Sequence, residues 1–538
     1  MFSRRTLVLP ICAALFFLAG IGSGFFFARR ESPTKKDVAA AFSQLRDDVA
    51  SLLRAVRPEL PAISEDPDDR PADSKSARRP ASRSDVQSEL TLTRRTIADG
   101  IKAALSARRS PEEKQGIKYN LRFDHPQSIE WKTPQGTFCR NLLVANEGPS
   151  IASNISIVLD GEALPATSVE IAGRIAGDSV EETRKAVALW KSVVDGRCHD
   201  WPAHKEAEDP VKLLGVYGYG FCSHAAHSLA ALARHAGLES RVLQARGKHL
   251  VTEIMVDGRW AVFDADAEAF YPMPGGLLAS AEDIRANPGL LTSSPSRVYS
   301  EAKPRDFYTA SDIVESKPSV PPESHSLRVK LRPGESIIYS RDRIGLFFSS
   351  RYLDEPREYA NGEWVFKPQA DGDMWLRGCK SSRNVRSIRE GDRCFLAPTE
   401  PGLPAQVTYA FVFPYPALDG KIQVKTKGGR PSIEISRDGS TWQVIQPSES
   451  GKSSWDFSLG DYLHRVSGDP DYKFDVRLTL PAGSVSESIQ GLVYRFGLQM
   501  APRYLPIPSE TTSSIGLDFS SDGPVDLNLQ TACTKSGD

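Results

Sequence analysis

The stretch from Tyr217 to Asp266, YGYGFCSHAAHSLAALARHAGLESRVLQARGKHLVTEIMVDGRWAVFDAD, decides how the chain is read. A thiol, an imidazole and two carboxylates fall there on elements that can meet. Gly218, Tyr219 and Gly220 read as a tight turn. From Ser223 the apolar residues Ala226, Leu229, Ala230 and Ala233 recur at helical spacing until Gly237 stops the helix. Cys222 is therefore placed at a helix N-terminus, where unpaired amides and the positive end of the helix dipole favour a thiolate, the nucleophilic form.

Beyond the helix, Arg241 to Gln244 opens an extended region in which Leu250, Ile254 and Val256 face one side and His249, Val251 and Glu253 the other. Asp257-Gly258 is a two-residue hairpin signal, and Trp260, Val262 and Asp264 alternate along the returning strand. That loop length sets Val251 opposite Asp264 and His249 opposite Asp266. Asp264 is then diagonal to His249, at about 7–8 Å between backbones, which side chains can bridge. Spacing alone leaves both aspartates open. A thiol, a base that takes its proton and an acid that orients the base form an activated nucleophile suited to acyl transfer.

The pattern Gly220-Phe-Cys222, Arg241-Val242, His249…Glu253 and Trp260…Asp264 resembles the catalytic core of the transglutaminase-like superfamily, over roughly residues 165–272. The resemblance implies a papain-like fold, with Cys222 as nucleophile, His249 as base and Asp264 as the orienting acid. It also implies that the helix read from Glu181 to Val194, with Val187, Trp190 and Val194 on one face, precedes the nucleophile helix and packs beside it. The chain departs from the family at Val251, where an aromatic is usual. A lone cysteine would read as an inert core residue. The histidine and aspartate at family spacing make the catalytic reading the stronger one. Cys198, His199, His204, Cys222, His224 and His227 are candidate metal ligands by type, but they meet no zinc spacing. His224, His227 and His235 read as surface or packing residues, and no metal or cofactor is expected.

Around this core, 538 residues leave room for roughly three or four domains. A net charge of −1 gives no pull towards nucleic acid, and seven cysteines are too few for a disulfide scaffold. Thr6 to Ala28 is an apolar run of 23 residues between arginine pairs, enough at ~20 residues per span to cross a bilayer. A single-pass signal-anchor at 1–30 is expected, with the remainder outside the cytoplasm, in the periplasm or at the cell surface. The runner-up is a cleaved export signal, since Ser3-Arg4-Arg5-Thr6-Leu7 resembles a twin-arginine signal.

Residues 31–115 read as a stalk. Val38, Phe42, Leu45, Val49, Leu52 and Val56 form a heptad seam, a candidate site of self-association, before a proline-rich, charged spacer. A small β-rich lead-in is expected at 116–164, a linker at 273–325, a β domain at 326–400 and a β-sandwich, a candidate jelly roll, at 401–538. The fold class is α+β. Ile433 to Trp442 resembles a strand–turn–strand of galactose-binding-type jelly rolls. Trp375, Trp442 and Trp455 are candidates for stacking on a polysaccharide, with core packing the stronger reading for each. Cys379 and Cys394 are a candidate disulfide.

Two functions follow. One is an envelope cysteine acyltransferase or amide hydrolase acting on a protein or peptide through a thioacyl intermediate. The other is an inactive scaffold of the same fold whose β domains hold a glycan or protein partner.

Overall fold

The computed structural model describes residues 117–535, apart from 133–136, 201–204, 246–248, 295–301, 319–324, 342–360, 369–373, 392, 452, 464–468 and 483–487. The expected anchor and stalk lie outside the described residues. No helix among the described residues is long and apolar enough to cross a membrane.

Three helices and an antiparallel sheet make the core. Helix α1 (Ser168–Ala176) begins where Thr167 Oγ1 accepts the amide of Glu170 at 3.3 Å, satisfying one of the donors a helix start leaves open. Helix α2 (Glu182–Gly196) buries Ala186, Leu189 and Val193 completely, one residue round from the expected stripe, while Val187, Trp190 and Val194 pack at its edge. Helix α3 (Cys222–His235) is buried from His224 to Ala233, so small residues are needed on most of its faces. Its Schellman end uses Gly237 at φ 81°, with Leu238 N donating to Ala233 O at 2.9 Å.

The sheet comprises β1 (Ser240–Ala245), β2 (His249–Val256), β3 (Arg259–Asp264), β4 (Ala269–Phe270) and β5 (Ile313–Ser316), in the order β4-β3-β2-β1-β5. The β2–β3 turn is the two-residue hairpin read from Asp257-Gly258, with φ of 52° and 76°, as a type I′ turn requires. Register runs from Arg259 opposite Val256 to Phe263 opposite Thr252. Thr252 Oγ1 also donates to Ala226 O at 2.9 Å, fixing the sheet to α3.

The stretch expected as a linker, 273–325, belongs to this core. It supplies the edge strand β5 and the short helices α4 (Ala281–Ala286) and α5 (Ala302–Tyr308). Ile284, Leu291 and Phe307 share an apolar cluster with Val251 and Val262. Its prolines punctuate short helices: Pro274 and Pro288 open 3-10 turns, where the missing N–H costs nothing. Ser280 and Asp283 form a reciprocal cap of α4, at 3.1 and 2.9 Å.

The β half is interleaved more than the sequence divisions at 116–164, 326–400 and 401–538 allow. Ile117–Phe123 pairs with the C-terminal strand Leu527–Lys535, which pairs with Thr137–Asn146, which pairs with Glu335–Ser340. These belong to a 15-stranded sheet, and a second sheet joins Gln127–Glu130 and Ala152–Leu159 to Ser514–Ser521 and Val329–Leu331. Cys139 and Cys533 are disulfide-bonded across the first sheet, 394 residues apart in sequence. Cys379 and Cys394 are not joined: both are free thiols, and Cys379 donates to Leu376 O at 3.0 Å.

The long strand Ala405–Lys427 pairs with Asp471–Leu480 in register up to Val412 and, after a register shift, again at Ala417 opposite Asp471, where its pairing with Ser488–Gln499 begins. The changeover contains Pro414 and Pro416, which cannot donate to a ladder. Ile433 to Trp442 does form a strand and turn, pairing Ile433 with Ile445. Trp375 is fully buried. Trp442 and Trp455 are half-buried, with Arg477 and Arg430 over their rings at 3.5 and 5.8 Å.

Candidate active site

The loop before Cys222 is shaped from both sides. A π-helical turn (Lys212–Tyr217) ends at Gly218, whose φ of 67° lies in the left-handed region. Tyr219-Gly220 is not a tight turn, as expected, but a short strand parallel to Cys198-His199. At Gly220 a Cβ would stand 2.8 Å from Leu213 and 3.0 Å from His224, so glycine is required for close approach. From the β half, Ala501 N donates to Gly215 O at 3.0 Å and Gln499 Nε2 to the Tyr219 hydroxyl at 3.2 Å. The loop thus delivers Cys222, half-buried, as the first residue of α3.

His249 and Asp264 meet as the hairpin allows. His249 Nε2 lies 2.7 Å from Asp264 Oδ2, both side chains almost wholly buried. Asp264 Oδ1 accepts the amides of Asp266 and Ala267 at 3.1 and 2.8 Å, and Trp190 Nε1 donates to its carbonyl at 3.1 Å. The carboxylate therefore has one direction to point. With Nε2 committed to Asp264, Nδ1 is the nitrogen left for Cys222, and donor atoms of Cys222, His249 and Asp266 lie within 4.8 Å of one another. Burial pulls the His249 pKa down, but the Asp264 charge and hydrogen bond, with Cys222, outweigh it and hold it up at about 10. Such a ring stays an imidazolium at neutral pH.

Asp266 occupies the other side. Its Oδ2 is 4.0 Å from His249 Nδ1, and its Oδ1 meets Arg197 at 3.0 Å and His199 Nδ1 at 2.8 Å. Burial would raise its pKa. The His199 hydrogen bond and the charges of Arg197, His199 and His249 instead hold it well below the usual carboxylate range.

Arg197 was not singled out in the sequence. Its guanidinium donates to Gly220 O at 2.9 Å and Ala265 O at 2.7 Å, clamping the loop before Cys222 to the loop after Asp264. Phe307 was also missed, and packs edge-on against His249 at 5.5 Å. Val251 is buried in the cluster that contains Phe307, so an aromatic from α5 abuts the imidazole although residue 251 is aliphatic. Arg241 and Glu253 pair at 2.6 Å, Arg241 covers Trp260 at 4.2 Å, and Glu253 accepts the amide of Ala281 at 2.8 Å. These motif residues brace the sheet.

Among the candidate metal ligands, His204 lies outside the described residues and His199 is engaged with Asp266. The donor atoms of Cys222, His249 and Asp266 fall within 4.8 Å of one another. A divalent ion there would be set against the Arg197 guanidinium, 3.0 Å from Asp266.

His224 and His227 are buried in α3, and His224 Nδ1 accepts the Phe221 amide at 3.1 Å. Burial first, then neighbouring cations, lowers both to about 4. Between about pH 6.5 and 4 the unfolded chain binds protons that the folded chain refuses, so stability is full above this window and falls as pH drops through it. Thermal melts from neutral to acid pH should show that loss, and His224→Gln with His227→Gln should flatten it. An unchanged slope in the double variant would assign the loss elsewhere.

A thiol at a helix start, an imidazole held by a carboxylate and an α+β scaffold define a transglutaminase-like cysteine core, followed in the chain by large antiparallel β-sheet regions. The profile of the transglutaminase-like superfamily matches residues 169–265. No curated protein matches the chain. Among solved structures, a family 29 carbohydrate-binding module is similar at 10% identity and TM-score 0.17, covering 25% of this chain and 91% of the module. A low-affinity xylan-binding module from Roseburia intestinalis is similar at 10% identity and TM-score 0.15, covering 26% of this chain and 98% of the module. A protein from Parabacteroides distasonis described as a candidate protease aligns at 10% identity and TM-score 0.16, covering 72% of this chain and 76% of its own.

Proposed function

We propose that the chain is an envelope cysteine acyltransferase or amide hydrolase in which Cys222, His249 and Asp264 are the catalytic residues. The contact of His249 Nε2 with Asp264 at 2.7 Å, with donor atoms of Cys222 and His249 within 4.8 Å of each other, carries the reading. The Cys222 thiolate attacks a protein or peptide amide carbonyl, forming a C–S bond and an oxyanion. First-turn amides of α3 have no intrahelical acceptor and are the donors at hand for that oxyanion. Collapse breaks the C–N bond, and His249 gives its Nδ1 proton to the leaving amine. An amine or water then attacks the thioester, His249 takes its proton, and the thiolate departs. Export is supported by the Cys139–Cys533 disulfide, a bond kept in oxidising compartments, and by the 23-residue apolar run at the N-terminus.

Two measurements on the full-length chain test this. Iodoacetamide should alkylate Cys222 faster than a free thiol at neutral pH. p-Nitrophenyl acetate should give a nitrophenolate burst with an acetyl thioester on Cys222, absent in Cys222→Ala. The alkaline limb of acylation should fall near pH 10, where His249 loses its proton. Reaction no faster than a free thiol, without a burst, would return the chain to the inactive-scaffold reading.

A further inference from the structure

A cavity of about 240 Å³ lies between the segment leading into α1 and the β half, away from Cys222, His249 and Asp264. Ile157 and Leu327 form part of its apolar wall, and Tyr339, Tyr415, Arg174 and Arg503 also line it. Tyr339 and Tyr415 are each 4% exposed and meet edge to face at 6.4 Å. Neither hydroxyl has a hydrogen-bond partner among the described residues. Arg503 is exposed and makes no ion pair among the described residues. Arg174 keeps 40% of its side chain exposed and shares its charge with Glu162 at 3.3 Å.

We infer that this cavity binds a small amphipathic carboxylate with a polar group at its far end. The gradient of exposure sets its direction. The carboxylate meets Arg503 and Arg174 at the open side, the apolar body lies against Ile157 and Leu327, and a hydroxyl or carbonyl reaches Tyr339 and Tyr415. Apolar cavities of about 150 Å³ admit benzene, so this larger one has room for a ring with two small substituents. The inference does not depend on acyl transfer at Cys222.

The probe is 4-hydroxyphenylacetate, followed by ligand-detected NMR on the full-length chain, with phenylacetate as comparator. Saturable binding is expected, tighter for the hydroxylated acid. Arg503→Glu, an exposed change, should weaken it about tenfold, or ~1.4 kcal/mol, while Cys222 alkylation stays at the parent rate and reports intact folding. Tyr415→Phe should erase the preference for the hydroxylated acid. Binding that does not saturate by about 10 mM, a range weaker than ~3 kcal/mol, overturns the inference, as does binding indifferent to Arg503→Glu. A preference retained in Tyr415→Phe overturns the assigned direction.

Discussion

Asp264→Ala should slow acylation of Cys222 on the order of 10⁴-fold, the scale seen when the acid of a nucleophile–histidine–aspartate triad loses its charge. Three contacts explain so large an effect. Oδ2 holds His249 Nε2 at 2.7 Å, while Oδ1 is held by two amides of its own turn. Without the carboxylate the ring can rotate, and the charge that offsets its burial is gone. The alkaline limb of the rate profile should therefore move down from about 10 towards the ordinary histidine value of about 6.5. Asp266→Ala leaves the Nε2 contact in place and should leave that limb near the parent position, with turnover mildly affected. Stopped-flow burst rates across pH on both variants decide the matter. A 10⁴-fold loss with a shifted limb in Asp266→Ala alone would make Asp266 the acid, acting from 4.0 Å on the Nδ1 side.

How far the site could be read in sequence followed from how local its determinants are. Asp257-Gly258 fixes a hairpin by its own backbone preferences, so the diagonal relation of His249 to Asp264 was available before any tertiary contact was known. Cys222 was legible for the same reason, as a helix start is a local event. Spacing left Asp264 and Asp266 both open and only the resemblance preferred Asp264, because which way each side chain points depends on tertiary contacts: Asp264 reaches Nε2 at 2.7 Å and Asp266 stands 4.0 Å from Nδ1. Arg197 carried no signal, because an arginine after a helix reads as a surface charge unless the two loops it joins are already in place. Phe307 and β5 were assigned to a linker because prolines that divide short helices look like prolines in an irregular chain. The strand pairing of Leu527–Lys535 with Ile117–Phe123 and Thr137–Asn146, and the Cys139–Cys533 bond, span almost the whole described chain. No short window encodes such pairings.

Arg197→Met should be the most destabilising single change at the site, by about 3–5 kcal/mol, the usual result of removing one partner from a buried ion pair. The arginine and Asp266 expose only 3% and 1% of their side chains, so water cannot repair the loss. Methionine fills similar volume, which makes the effect electrostatic more than a matter of packing. Two carbonyls, Gly220 O and Ala265 O, lose their donor as well, and each unmade buried hydrogen bond adds about 1–3 kcal/mol at most. Arg197→Lys keeps the charge but not the planar fork that reaches both loops and the carboxylate, so its loss should be smaller and should fall mainly on the loop contacts. Pairing Arg197→Met with Asp266→Asn separates the terms: if the ion pair dominates, the double variant should be more stable than the sum of the single losses predicts. Denaturant melts of the four proteins measure this directly. Strict additivity, or an Arg197→Met midpoint equal to the parent's, would mean that the two loops are held together by the packing of Trp190 and Phe270, which meet at 5.0 Å beside Asp264, and that the guanidinium is dispensable.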